Sequence, residues 1–313
     1  MPGPHALRLA VFEGKPMEFW LFLQLLINGV IAGSLYALLG ISFTAIFAPT
    51  RIFHFMHASV YVFAGYFLYQ FAMGWGWPLP VSILAAVLLA GIMGVLAERV
   101  IYSPLRRMGA GSMEMLLSSF GGYVILQNLI LLIWKSDPRT VRIPEVLKNG
   151  IPVGLLTFTP LDILTVITAG AALWALGLFM RHTKVGKAMR AVENDPLGAT
   201  ITGIPTEWVR QVSFFLGSIL VAMAVTFHVV DKGLEPTIGV NAVLVATVAM
   251  IVGGVGSYGG AALAGLMIGI AENLGIWQIP SEWKNTITFC VLVLFILFRP
   301  RGFFGHRMTR YEG

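Results

Sequence analysis

Residues 19–48 read FWLFLQLLINGVIAGSLYALLGISFTAIFA, a run with no Asp, Glu, Lys or Arg. A helix needs about 20 apolar residues to cross the hydrocarbon core of a bilayer, and only helices or closed barrels satisfy every backbone group there. Six more uncharged windows follow, at 52–97, 115–134, 163–180, 211–230, 236–271 and 285–298. They are continuous apolar runs rather than period-two alternations, which excludes an outer-membrane barrel. The second and sixth of the seven windows are long enough for two spans each. Breaks are expected at Gly74-Trp75-Gly76-Trp77-Pro78 and between Gly253 and Gly260, where glycine or proline interrupts a helix. The fold class is therefore all-α: a polytopic membrane protein of about eight to nine transmembrane helices, with room for a broken or re-entrant segment.

Composition points the same way. Of 313 residues, 57% are hydrophobic and 12% charged, and the mean hydropathy is +0.81; a soluble domain carries about 25% charged residues. The net charge of +6 and pI near 9.6 do not indicate nucleic acid, because Lys and Arg sit in short clusters between apolar runs instead of on one basic face. Lipid headgroups are the partners such clusters meet. The single cysteine, Cys290, lies inside an apolar run and reads as a small buried hydrophobe, with no disulfide available within the chain.

The expected organisation is an N-terminal tail at 1–18, a membrane domain at 19–299 and a cytoplasmic C-terminal tail at 300–313. The first apolar run is too long for the core of a signal peptide and is expected to be retained. With the C-terminus inside, 13 of the 21 Lys and Arg residues fall on the cytoplasmic side. Four of the remaining eight lie in the 135–160 loop, which becomes external.

The longest polar interruption after that is RHTKVGKAMRAVENDPLGATITGIPTEWVR, residues 181–210. Lys184 to Val192 has helix-forming character, Asn194-Asp195-Pro196 can stop one helix and cap the next, and Gly203 closes the segment before Pro205. It reads as a short helix lying across the membrane surface. One reading is a basic interfacial turn that only fixes topology; the other is a rigid segment that engages a soluble partner.

VGKAMRAVENDPLGATITGI resembles the cytoplasmic coupling segment of permeases in the branched-chain amino-acid ABC importer family. Five more strings follow that family's patterns in order: Asn28-Gly29 through Tyr36-Ala37-Leu38 in the first span, FHFMHASVY at 53–61, ERVIYSPLR at 98–106, VGGVGSYGGA at 252–261 and RPRGFFG at 299–305. The resemblance covers roughly residues 20–305. His54 stands where the family usually has Asn, Ala58 where it has Gly, Ser59 where an acidic residue is common, and Gly259 where Pro is common.

The resemblance implies a permease subunit of an importer in the bacterial inner membrane, translocating Leu, Ile and Val with ATP hydrolysed elsewhere. It implies two ABC ATPase subunits, a second permease, identical or related, and a periplasmic substrate-binding protein. The same architecture serves urea or short amides, which stay open as alternative cargo. The coupling segment is then 184–204, with Gly186, Lys187, Arg190, Glu193, Asp195 and Gly203 as its candidate residues: glycines for close approach and sharp turns, charges for a polar docking interface. No GxxxxGK[ST] string occurs, so ATP and Mg belong to the partners and no cofactor is expected on this chain. GGVGSYGG lacks the following Lys of a phosphate loop and is read as a packing site or a helix break.

Polar residues within spans are costly and each needs a reason. Asn28, Ser34, His57, Gln127, Asn128, Asn241 and Thr247 are the candidates for a substrate pathway, with interhelical hydrogen bonding as the plainer alternative. Glu272 and Asn273 raise the same question, and Glu272 is placed near the outer end of its span, within reach of water. Glu98 and Arg99 read as an interfacial pair. His54 and His57, three apart, can share a helical face but lack a nearby carboxylate, so no metal site is assigned. An ion-coupled secondary transporter calls for charges at mid-span, and a membrane enzyme for a clustered catalytic set. The sequence offers neither, and no residue is assigned as catalytic.

Overall fold

The computed structural model describes residues 4–299 and 302–305, with side chains from Glu18 onward. The tail at 300–313 therefore lies outside the described residues apart from 302–305. Among the described residues, twelve α-helices and one small hairpin follow in order. They are α1 (Pro4–Thr50), α2 (His57–Tyr69, extended by a π turn at Gln70–Gly74) and α3 (Leu79–Ala97). A second π turn at Glu98–Tyr102 joins α3 to α4 (Ser103–Arg107), and α5 (Ser112–Trp134) follows. The hairpin of β1 (Ile151–Val153) and β2 (Leu156–Phe158) comes next, then α6 (Pro160–His182), α7 (Lys184–Asn194), α8 (Pro196–Ile201) and α9 (Thr206–Lys232). The last three are α10 (Ile238–Gly253), α11 (Tyr258–Gly275) and α12 (Lys284–Phe298).

Six of these helices are long and apolar enough to cross a membrane, or seven spans if the bent pair α10 and α11 counts as one. The chain is an all-α multi-pass membrane protein, but the count falls below the eight to nine expected. Two windows account for the difference. The 52–97 window yields α3 as a full span, whereas α2 is only 13 residues and nearly all buried among its neighbours. The 236–271 window yields α10 and α11, which meet at a 118° bend where Gly254 and Gly256 take positive φ.

Small residues set the inner packing. Gly33 lies against the backbone of Leu266 and Gly269, Gly29 against Ile270, and Gly265 against Ala37. An added Cβ at any of them would overlap main-chain atoms, so α1 and α11 run antiparallel at near backbone contact, as small residues permit in lipid. Around this centre, α3, α5, α6 and α12 turn large apolar side chains outward, among them Leu84, Leu132, Trp174 and Phe298. Outside a bilayer such a surface is unfavourable; facing acyl chains it costs nothing. Cys290 is exposed on α12 within this belt, not buried as its apolar context implied.

The interruptions collect at two ends. At one, Arg51 bonds Glu193, Arg107 pairs with Glu207, and Arg99 donates to Gln211. At the other, residue 139 bridges residue 234, Trp134 donates to Gln70, and Gln24 exchanges two hydrogen bonds with Thr157 on the hairpin. These are called the α7 end and the hairpin end below.

Candidate functional site

The α7 segment is fixed at both termini by its own side chains. Thr183 ends α6 and begins α7: its hydroxyl donates to the Phe179 carbonyl at 2.7 Å and accepts from the Gly186 amide at 2.9 Å. Asp195 does the equivalent for α8, its carboxylate accepting from the Gly198 amide at 2.9 Å. Gly186 is buried, and a Cβ there would meet the backbone of Phe179 and Met180, so α7 leaves α6 at main-chain contact. Met189 and Val192 fill the side of α7 that faces the bundle and are fully buried. Lys184, Lys187 and Arg190 point away from the protein, and on α8 Leu197 and Ile201 are 67% and 77% exposed. Gly203 takes φ +83 and turns the chain toward α9. The six coupling candidates therefore divide: Gly186, Asp195 and Gly203 shape the segment, Lys187 and Arg190 face outward, and Glu193 faces inward.

Glu193 joins three elements. Its carbonyl accepts from Arg51, which ends α1 in a left-handed conformation at φ 57. Its carboxylate lies beside Gly256 in the α10/α11 bend, close to Tyr258. Burial, opposed by the Arg51 and Arg190 charges, pushes the Glu193 carboxyl up to about 7. Burial likewise lowers the Arg51 guanidinium from its ordinary value, with the Glu193 charge opposing. Arg51 and the inward role of Glu193 were not marked by the sequence, because a charge at a helix end reads as a topology signal.

The bend has a second partner. Phe303 and Phe304 donate backbone hydrogen bonds of 2.9 and 3.0 Å to the Val252 and Gly253 carbonyls, which are among the orphan acceptors at the end of α10. Gly302, at φ +68, lies against the backbone of Gly254. The strings VGGVGSYGGA and RPRGFFG, some 40 residues apart, are thus one structural unit. FHFMHASVY and ERVIYSPLR also meet, through a 2.8 Å bond between His54 Nδ1 and the Tyr102 hydroxyl.

The pathway candidates do not share one place. His57 is fully buried, its Nε2 3.1 Å from the Ser42 hydroxyl, which itself donates to the Leu39 carbonyl. His57 opens α2 whereas His54 precedes it; their rings are 5.5 Å apart in the core. Ser34 and Thr247 each donate to a carbonyl one turn back on their own helix. Asn28 accepts from Gln24, and Asn128, exposed on α5, bonds Val124 on the same helix. Gln127 donates to the Pro236 carbonyl at 2.6 Å and serves as interhelical glue. Only Asn241 opens on a polar cavity.

Two pairings differ from expectation. Glu98 is buried and binds Arg106 through both guanidinium nitrogens, at 2.9 and 2.5 Å, while Arg99 turns to Gln211. The reason is geometric: adjacent residues on a helix do not face each other, whereas Arg106 lies two turns on. Glu272 is not at a wet outer edge but 1% exposed, accepting from the Tyr36 hydroxyl at 2.7 Å and from the Thr288 hydroxyl.

The cavity at Asn241 has a volume of about 180 Å³. It lies between α1, α2, α9, α10 and α12, toward the hairpin end. Tyr36, Tyr61, His228, Asn241 and Asn285 supply its polar lining. Of these only Asn241 was marked in advance. Tyrosines carry no charge to flag, and His228 and Asn285 fall near the ends of their apolar windows with no local pattern to single them out.

A family profile described as "Branched-chain amino acid transport system / permease component" matches residues 25–296. The chain is 32% identical over 302 residues to the "High-affinity branched-chain amino acid transport system permease protein LivH" of Escherichia coli K12, covering 92% of this chain and 97% of that one. It is 30% identical, over the same shares, to the corresponding permease protein BraD of Pseudomonas aeruginosa. The "Autoinducer 2 import system permease protein LsrC" of Escherichia coli K12 (DH10B) is 26% identical over 72% of this chain and 65% of that one. With its multi-pass helical fold and a profile match across most of its length, this chain belongs to the permease family of branched-chain amino acid transport systems.

Proposed function

We propose that this permease subunit carries Leu, Ile and Val across a bacterial inner membrane as part of an ATP-driven importer. The observation that carries the reading is similarity along nearly the whole chain to two permeases named for branched-chain amino acid transport. In this reading the α7 end is cytoplasmic, and the 135–160 loop with its hairpin faces a periplasmic binding protein. Two ATPases dock at residues 184–204, and a second permease, identical or related, completes the pathway.

The geometry supports a mechanical role for α7. It is tied at main-chain contact to α6, through Arg51 to α1, and through Glu193 to the α10/α11 bend. Its outer face pairs three cations with the exposed apolar pair Leu197 and Ile201 on α8. A partner that grips this face and moves with nucleotide shifts three pathway elements together, which is what alternating access needs. A loop with independent side-chain contacts would absorb the same displacement locally.

Reconstitution of the chain with its cognate ATPases, companion permease and soluble receptor tests the reading. Stoichiometric co-purification and ATP-dependent uptake of radiolabelled Leu, Ile and Val are expected. Uptake of urea or short amides in preference to these, or transport driven by an ion gradient without ATPases, would overturn it.

A further inference from the structure

The cavity between α1, α2, α9, α10 and α12 has a polarity gradient along its axis. Ile238, Asn241, Ala242 and Val245 line it from one face of α10, as residues spaced by three and four do. Asn241 lies one turn from the start of α10, His228 one turn from the end of α9, and Asn285 at the start of α12. All three polar groups therefore stand at the hairpin-end mouth, and Asn285 donates toward Asn241 at 3.5 Å. Val245 is four residues deeper, about 6 Å at the helical rise, and Leu39 lies a turn further along α1 than Tyr36.

Two further observations point to a ligand. Tyr61 is 3% exposed and lines the cavity, and its hydroxyl makes no hydrogen bond to a described residue. That oxygen is not among the sealed polar atoms of the described residues but is accessible from the cavity it lines, free to bond a polar group that enters. Charges of both signs also flank the mouth. Lys232 stands one turn from His228 on α9, Lys284 lies near Asn273, and Glu272 stands behind Tyr36, held by its hydroxyl. Among the described residues, no Lys, Arg, Asp or Glu lines the cavity itself. A net anion or cation has no dedicated counter-ion there, whereas a zwitterion meets both fields at once.

We propose that this cavity is the amino-acid recognition pocket of the permease. His228, Asn241 and Asn285 hold the ammonium and carboxylate end at the mouth, and Leu39, Ala242 and Val245 receive the aliphatic side chain. This deepens the importer reading and rests on it. At about 180 Å³ the pocket is below the roughly 300–1,000 Å³ of sites for drug-sized ligands, so it admits a single free amino acid and excludes a peptide. Specificity for side-chain length is set by Val245 and Leu39, where an added or removed methylene is worth about 10-fold or more.

Uptake kinetics in the reconstituted importer test this with Asn241→Leu, Tyr61→Phe and Val245→Phe. Asn241 is exposed, so Asn241→Leu leaves the fold intact, and co-purification with the ATPases verifies assembly for each variant. Asn241→Leu and Tyr61→Phe are expected to raise KM for Leu at least 5-fold. Val245→Phe is expected to lower uptake of Leu and Ile relative to Val or Ala at least 10-fold. If the wild type transports Leu, Ile and Val but all three assembled variants keep KM and selectivity within 2-fold, the pocket assignment is wrong and the importer reading stands. If the wild-type assembly transports none of these amino acids, the importer reading fails and the pocket assignment fails with it.

Discussion

The Arg51 guanidinium donates a 2.9 Å hydrogen bond to the Glu193 carbonyl, joining the end of α1 to the end of α7 across 142 residues of chain. Among the described residues Arg51 is also one of two non-glycine residues at positive φ, so the backbone there is held in a conformation that costs about 1–2 kcal/mol. A tie that links the longest helix to the proposed docking segment can transmit displacement only while it stays rigid.

Arg51→Ala removes that tie and leaves the Glu193 carboxylate with one fewer neighbouring cation. Membrane insertion and ATPase binding are expected to persist. The number of Leu molecules transported per ATP hydrolysed is expected to fall at least 10-fold, measured as paired uptake and phosphate release in proteoliposomes. An unchanged ratio would mean that the force reaches the bundle through α6 and the α10/α11 bend without the Arg51 tie.

Glu193 gives this junction a pH dependence. Burial raises its carboxyl to about 7, and the unfolded value is 4.5. A carboxyl with a raised pKa stabilises the packed arrangement while it is protonated. That contribution is fully present below about 4.5 and is lost as pH rises through about 7. Hydrogen exchange over residues 184–201, corrected for intrinsic rates, is expected to show falling protection between pH 5 and 8. Glu193→Gln is expected to flatten the profile, because the amide does not titrate.

The bend at Gly253 to Gly260 was legible in the sequence because glycine both breaks a helix and permits close approach. The Asn194-Asp195-Pro196 cap was legible for the same local reason. That α2 is covered by protein and not by lipid was not, since hydropathy reports burial without saying which of the two covers the residue. His57 and Asn241 show the corresponding limit for the site. Both are polar residues in apolar windows, but one is sealed in the core and the other lines a cavity, and that difference lies in the packing of distant helices. Tyr61, His228 and Asn285 come together from three helices and share no local pattern.

His57→Ala separates these two situations experimentally. Its ring fills the core between α1 and α2, touching Phe43 and His54 and bonding Ser42. Truncation leaves a cavity and removes a buried hydrogen bond, at a cost on the order of 2 kcal/mol or more. The expected result is a lower melting temperature in detergent with unchanged preference among Leu, Ile and Val. A shift in preference with stability intact would place His57 on the pathway instead.

The close approach of α7 to α6 supports the last prediction. Gly186 has no room for a methyl group, because Met180 Cα lies 2.5 Å from where its Cβ would sit. Backbone cannot rotate away as a side-chain tip does, so Gly186→Ala must push α7 outward, and overpacking of this kind costs about 1–3 kcal/mol. Arg190→Glu, by contrast, leaves the backbone packing alone and reverses an exposed charge, which also removes one of the cations acting on Glu193. Both are expected to abolish uptake, but by different routes. Gly186→Ala is expected to bind the ATPases and leave their hydrolysis uncoupled from transport, since the outer face is intact but its lever is displaced. Arg190→Glu is expected to weaken ATPase binding itself, and more so at low salt, where like charges across an interface repel most strongly. Co-purification yields at 50 and 500 mM salt distinguish the two. Equal recovery of ATPase with Arg190→Glu at both concentrations would remove that residue from the docking face.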